Sequence, residues 1–166
     1  MAQLSDPQEL FAHKLGTALA AERKVHTELG KMERRAQLPE LKQGFARHRE
    51  ETEQQIRNVE QALQAIGAPT AAHEDLVANA IGQQTEELLG RVDDSLVDAV
   101  LAGGAAHTEH HEIATYEGLI TMAGQMGQED VVALLQENLE QEQQTLAKVE
   151  SAAARLAQRA ATSPRI

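Results

Sequence analysis

The chain has 166 residues, a formal charge of −11, no cysteine, 42% hydrophobic residues and only 2% aromatics. That acidity argues against nucleic acid and anionic membranes as partners. The lack of cysteine excludes disulfides, thiolate catalysis and zinc-thiolate or iron–sulfur sites. A core with so few aromatics must be built from Leu, Ala, Val and Ile. With abundant Glu, Gln, Lys and Arg, this composition predicts an all-α fold.

In chain order, Asp6 before Pro7, with Glu9 three residues on, predicts a capping box with proline in the first turn. The helix it opens runs to about Ala36. Pro39 restarts a second helix, which ends at Gly67-Ala68-Pro69. A shorter helix is expected from about Glu74 to Leu89. Asp93 or Asp94 opens the next long helix, reaching Gly124 or Gly127, and the last begins near Glu129 and frays before Ser163-Pro164. The short connections at Gln37-Leu38-Pro39 and at Gly124 to Gln128 each imply an antiparallel pair. The layout is a four-helix bundle of two hairpins with a short extra helix in the crossover. The whole chain, 1–166, is expected to form one domain, with its core from about 7 to 160 and a frayed tail at 161–166. The N-terminal residues lack the basic and apolar regions of a secretory signal, and no apolar run approaches the roughly 20 residues of a membrane span. A cytoplasmic location is expected.

The apolar stripes are interrupted by charge. On the first helix Glu22 stands among Leu15, Ala18, Val25, Leu29 and Met32. On the second, Leu41, Phe45, His48, Thr52, Ile56, Val59 and Leu63 form the stripe, with Glu51 one turn from His48. Glu109 and Glu112 sit between Leu101 and Ala105 on one side and Tyr116, Leu119 and Ala123 on the other. Glu142 lies among Leu135, Leu139, Leu146, Val149 and Leu156. Each of these acids is near the midpoint of its helix, so packed helices bring all of them to one level. An unpaired buried carboxylate costs several kcal/mol, against a domain stability of about 5–15 kcal/mol. The stripes offer no Lys or Arg in register. Two divalent cations would balance four carboxylates, and dinuclear carboxylate bundles use a related layout of single glutamates and Glu-x-x-His pairs. Glu22, His48, Glu51, Glu109, Glu112 and Glu142 are therefore the candidate metal ligands. Glu50 points about 100° away from Glu51 and faces solvent. Tyr116 is either a packed aromatic or a hydrogen-bond donor to a ligand.

Several segments resemble a known family: Ala21-Glu22, Pro39 to Lys42, Phe45 to Thr52 (Phe-Ala-Arg-His-Arg-Glu-Glu-Thr), Glu109 to Tyr116 (Glu-His-His-Glu-Ile-Ala-Thr-Tyr) and Leu134 to Glu142. Their order and spacing are similar to the YciE/YciF family of bacterial ferritin-like stress proteins, over about Leu10 to Val149. The resemblance implies a rubrerythrin-like bundle, usually dimeric, with a dinuclear metal site at Glu22, Glu51, Glu109, Glu112 and Glu142, and with His48 and His110 inside the motifs. The chain departs from the family pattern at Leu19 and His111, where tyrosines are expected, and at Leu146, where an aspartate is expected. His26 and His111 are candidate nitrogen ligands in compensation.

Oxygen-rich ligation with an imidazole suits iron, or manganese in its place. The expected function is a redox metalloprotein with two iron ions acting on dioxygen or hydrogen peroxide, as a ferroxidase, peroxidase or catalase. The alternative is a non-catalytic helical dimer serving as a stress-induced structural or binding protein.

Overall fold

The computed structural model describes residues 3–162, with side chains through residue 159. Five α-helices follow in order: α1 Pro7–Arg35, α2 Pro39–Ala65, α3 Leu76–Leu89, α4 Val97–Gln125 and α5 Glu129–Thr162, with a 3-10 turn at Asp94–Leu96 leading into α4. The last helix therefore continues to Thr162. The remainder of the expected tail, 163–166, lies outside the described residues.

Local chemistry accounts for the helix ends. Asp6 is extended, its carboxylate accepts from the Gln8 N–H at 2.8 Å, and Pro7 occupies the first turn, where a missing N–H costs nothing. The reciprocal bond of the capping box falls one residue earlier than expected, with Glu9 Oε2 accepting from the Ser5 N–H at 3.4 Å. Asp75 caps α3, accepting from Val77 and Ala78 N–H at 2.9 Å each. Gly67 and Gly127 take φ of 69° and 68° after α2 and α4. That left-handed geometry lets the Ala68 and Gln128 N–H groups reach back to Leu63 and Ala123 carbonyls at 3.0 Å, turning the chain sharply.

The two hairpins, α1 with α2 and α4 with α5, pack together through α2 against α5 and α1 against α4, while α3 rests on α4 and α1. The start of α1 (Phe11, Leu15) meets the end of α4 (Leu119, Ala123), and the end of α2 (Val59, Leu63) meets the start of α5 (Val131, Leu135). At the opposite end Leu29, Leu41, Leu101 and Val149 form a second apolar cluster with Phe45 and Leu89. The crossover after α2 must therefore traverse the bundle to reach the start of α4. The 14 residues of α3, at 1.5 Å per residue, cover much of that distance. This is the ferritin-like four-helix bundle with an extra helix in the crossover. Buried Asp98 ties the α1–α2 turn to α4, accepting from Gln37 N–H at 2.8 Å and Leu38 N–H at 3.0 Å. Between the two apolar clusters lies a polar layer.

Candidate metal centre

Four helices contribute to that layer at their midpoints. His48 from α2, Glu109 and Glu112 from α4, and Glu142 from α5 are all buried, and each offers a ligand atom within 4.8 Å of the others. The i,i+3 spacing of Glu109 and Glu112 puts both carboxylates on one face of α4. His48 Nε2 stands 3.1 Å from Glu109 Oε1 and 3.8 Å from Glu142 Oε2. Neither ring nitrogen makes an aligned hydrogen bond, and both oxygens of Glu112 and of Glu142 are buried without a hydrogen-bond partner.

Glu22 and Glu51 flank this group. Glu22, from α1, is 1% exposed and accepts a short hydrogen bond from the Tyr116 hydroxyl, while its second oxygen is unpartnered. Glu51 lies at the edge: its side chain is 28% exposed, Oε2 is 3.6 Å from His48 Nδ1 and accepts from the Thr145 hydroxyl at 3.5 Å. Of the six candidate ligands, four form the tight group and two stand beside it.

The titration behaviour follows from burial and crowding. Desolvation raises the Glu22 carboxyl to about 7 against the opposing Tyr116 hydrogen bond and His48. Desolvation also pushes Glu112 well above the usual carboxylate range, with repulsion from Glu22 and Glu109 adding to it. Glu142 is raised likewise, by burial first and then by Glu112 and Glu109. For His48, burial disfavours the imidazolium, but attraction to Glu109, Glu51 and Glu22 overcomes it and lifts the pKa to about 9. The His48 contact lowers that of Glu51. Desolvation, then the Glu22 and Glu142 charges, raise Tyr116 well above its usual value. Several buried acids thus crowd one imidazole, with more negative charge than the side chains neutralise.

A chain of hydrogen bonds leads from the surface to Glu22. Arg57 donates to Gln54 Oε1 at 2.8 Å, Gln54 to Asn58 at 2.9 Å, Asn58 to Asn138 at 2.8 Å and Asn138 to the Tyr116 oxygen at 2.9 Å. Since Tyr116 accepts from Asn138, its own proton is directed at Glu22. Buried Gln55 has neither amide atom partnered. The apolar stripes through Ile56, Leu139 and Leu146 pass beside this layer. Gln55, Asn138 and Thr145 are the buried residues at those levels, and the three hydrophobic neighbours are only partly buried. Strict alternation of three- and four-residue steps marks them: 41, 45, 48, 52, 55, 59 on α2 and 131, 135, 138, 142, 145, 149 on α5.

The remaining histidines are placed elsewhere. His26 faces Glu53 at 3.3 Å on the surface, and exposed His110 is 3.7 Å from Glu150. His111 holds the Asp75 cap at 2.8 Å, which, against the cost of burying Asp75, helps keep that carboxyl below its ordinary value. Neither His26 nor His111 joins the four-residue group.

A helical bundle with a buried His/Glu group able to hold a metal ion is thus the class that fold and site define. The chain belongs to the family described as Domain of unknown function (DUF892), which it matches over residues 6–162. It is 32% identical over 146 residues to Protein YciF of Escherichia coli strain K12, covering 83% of this chain and 84% of that protein. The crystal structure of the E. coli stress protein YciF superposes with a TM-score of 0.88 at 27% identity, covering 93% of this chain and 99% of that one. YcfI from Rhodopseudomonas palustris, described as a candidate structural protein, gives 0.86 at 29% identity, with coverage of 89% and 95%. No helix among the described residues is long and apolar enough to cross a membrane.

Proposed function

We propose that His48, Glu109, Glu112 and Glu142, completed by Glu22 and Glu51, hold a dinuclear carboxylate centre of two iron ions, with manganese as the substitute, that serves redox chemistry under stress. The observation that carries this reading is the set of buried carboxylate oxygens without partners on Glu22, Glu109, Glu112 and Glu142. Buried acids of this kind are stable only when neutralised by protons, pairs or metal. One imidazole and five carboxylates form a hard donor set that suits iron or manganese.

When bound, such a centre supplies two-electron chemistry toward dioxygen or hydrogen peroxide, of ferroxidase, peroxidase or catalase type. The chain does the rest. Tyr116, fixed by Asn138, orients Glu22. Thr145 steadies Glu51 through its hydroxyl. The apolar clusters close the layer off from the two ends of the bundle. A homodimer fits this reading: Leu76, Val77 and Leu88 of α3 and Leu96 just before α4 are exposed, and a second copy would cover them.

A non-catalytic structural role is the second reading, favoured by the description of the R. palustris relative and by the position of Glu51 outside the tight group. Elemental analysis of the purified chain, before and after anaerobic ferrous loading, separates the two. The metal reading expects about two ions per chain, as in dinuclear carboxylate bundles, and their loss when Glu109 and Glu142 are both changed to Gln. A chain that takes up no metal in either state overturns it.

A further inference from the structure

Between α2 and α5 a cavity of about 240 Å³ runs from solvent to the polar layer. Its inner end is formed by His48, Glu51, Glu109 and Thr145, and its mouth by exposed residues of α2 and α5 that include Gly44 and Lys148. Glu109 also touches a crevice beneath α3, but that space is only about 50 Å³. The α2–α5 cavity is therefore the larger of these two approaches to the centre, and Glu51 is the partly exposed acid standing in it.

Size and charge narrow what enters. Drug-sized ligands occupy roughly 300–1,000 Å³, so the occupant is smaller. Arg47, Lys148 and Arg155 line the cavity against a single mouth carboxylate, Glu40, which lies 3.7 Å from Arg155. On a chain of net charge −11, the three cations are matched over the whole cavity by Glu40, Glu51 and Glu109, with the cations gathered toward the mouth. That arrangement disfavours a metal cation at the mouth and an anion beside the inner carboxylates, and so favours a small neutral molecule.

We infer that this cavity is the entry route by which a small oxidant, of the size of hydrogen peroxide, passes Glu51 to reach the His48–Glu109 side of the centre. The oxidant part rests on the metal-centre reading; the route is a property of the fold.

Gly44 supplies the test. A Cβ at this exposed α2 position meets nothing within 4 Å, so Gly44→Phe narrows the mouth without disturbing the core. Gly103 is equally free of neighbours but lines a separate surface hollow formed with α3, which makes Gly103→Phe the control. Because the chain has no cysteine, a Thr145→Cys variant carries a single thiol on the cavity wall, and Val149→Cys gives a second position should the first misfold. The metal-free proteins are exposed to methyl methanethiosulfonate and labelling is followed by mass spectrometry. Gly44→Phe is expected to slow labelling by about tenfold or more, leaving only local opening as a path, and Gly103→Phe to leave it unchanged. Iron-loaded Gly44→Phe should bind azide and be oxidised by hydrogen peroxide more slowly in parallel, with its iron content intact. Equal labelling rates in all three backgrounds overturn the route whatever the metal content. Slowed labelling in a chain that binds no iron overturns the oxidant and the metal-centre reading while the route stands.

Discussion

In the absence of metal, raising the pH should weaken this protein. In the folded chain burial raises the Glu22 carboxyl to about 7 from 4.5, with the Tyr116 contact and His48 opposing that rise. Between those values the folded state keeps a proton that the unfolded chain releases. The stability this contributes is complete below 4.5 and is lost as the pH rises through 7. At about 1.4 kcal/mol per pH unit, the loss from Glu22 alone is about 3 kcal/mol. His48 has the same sign, because its pKa rises from 6.5 to about 9 on folding despite desolvation, through Glu109 first among the attractions. Its contribution is whole below 6.5 and fades as the pH climbs through 9. Glu112 and Glu142 are raised as well, and since they share one field with Glu22 they extend the decline rather than multiply it. For a chain of this size about 3 kcal/mol lowers the melting temperature by roughly 6–12 °C. Thermal unfolding in chelator, followed by far-ultraviolet circular dichroism from about pH 5 to about pH 8, should show that fall. Excess manganous ion should flatten or invert it, because metal competes with protons and binds better as they leave. Glu22→Gln should remove much of the slope. A metal-free chain whose stability is level or increasing over this range, with Glu22→Gln indistinguishable from it, would refute the reasoning.

Other perturbations test the neighbours. Changing Glu109 and Glu142 together to Gln should abolish metal-dependent stabilisation, about 2.7 kcal/mol at a hundredfold excess over Kd; denaturant titration with and without metal reads this. Tyr116→Phe removes the donor to Glu22 and the acceptor of Asn138, so chemical denaturation near neutral pH should show a loss of about 1–3 kcal/mol. His111→Gln should weaken the Asp75 cap but leave metal stoichiometry unchanged, and loss of metal would return His111 to the ligand set. Gly16→Ala places a Cβ 2.5 Å from the Ala71 carbonyl oxygen and from His73 Cδ2, so thermal melts should register about 1–3 kcal/mol of overpacking.

The helices were legible because their ends are written in local chemistry: Asp6-Pro7, Pro39, Gly67 and Gly127 act within a few residues of themselves. The entry to α4 was less so. Asp93 and Asp94 look like caps, yet the chain makes a 3-10 turn there before α4 begins at Val97, and the nearby carboxylate that closes the α1–α2 turn is Asp98. That bond spans some sixty positions, and helical periodicity carries no trace of it. Glu22, Glu109, Glu112 and Glu142 stood out because a charge in an apolar stripe is anomalous. Asn138, Thr145 and Gln55 did not, because a leucine or isoleucine lies one position away and a search for apolar residues slides onto it.

The polar layer also specifies how the bundle assembles. The two apolar clusters are alike in composition, and leucines sliding by one turn could repack at modest cost. The polar residues cannot slide. Asn58 must meet Asn138, Asn138 must meet both the Tyr116 oxygen and the Gln55 carbonyl, and Tyr116 must meet Glu22, so a shift of one helix strands several buried groups at about 1–3 kcal/mol each. The same contacts that fix helix register therefore fix the relative heights of Glu22, Glu112 and Glu142. A site built from four separate helices is held in place by the layer beside it. Asn138→Leu tests this: although it replaces a polar core residue with an apolar one, it should lower metal affinity along with cooperativity of unfolding. Wild-type metal affinity in a fully folded Asn138→Leu chain would mean that the apolar clusters alone set the register.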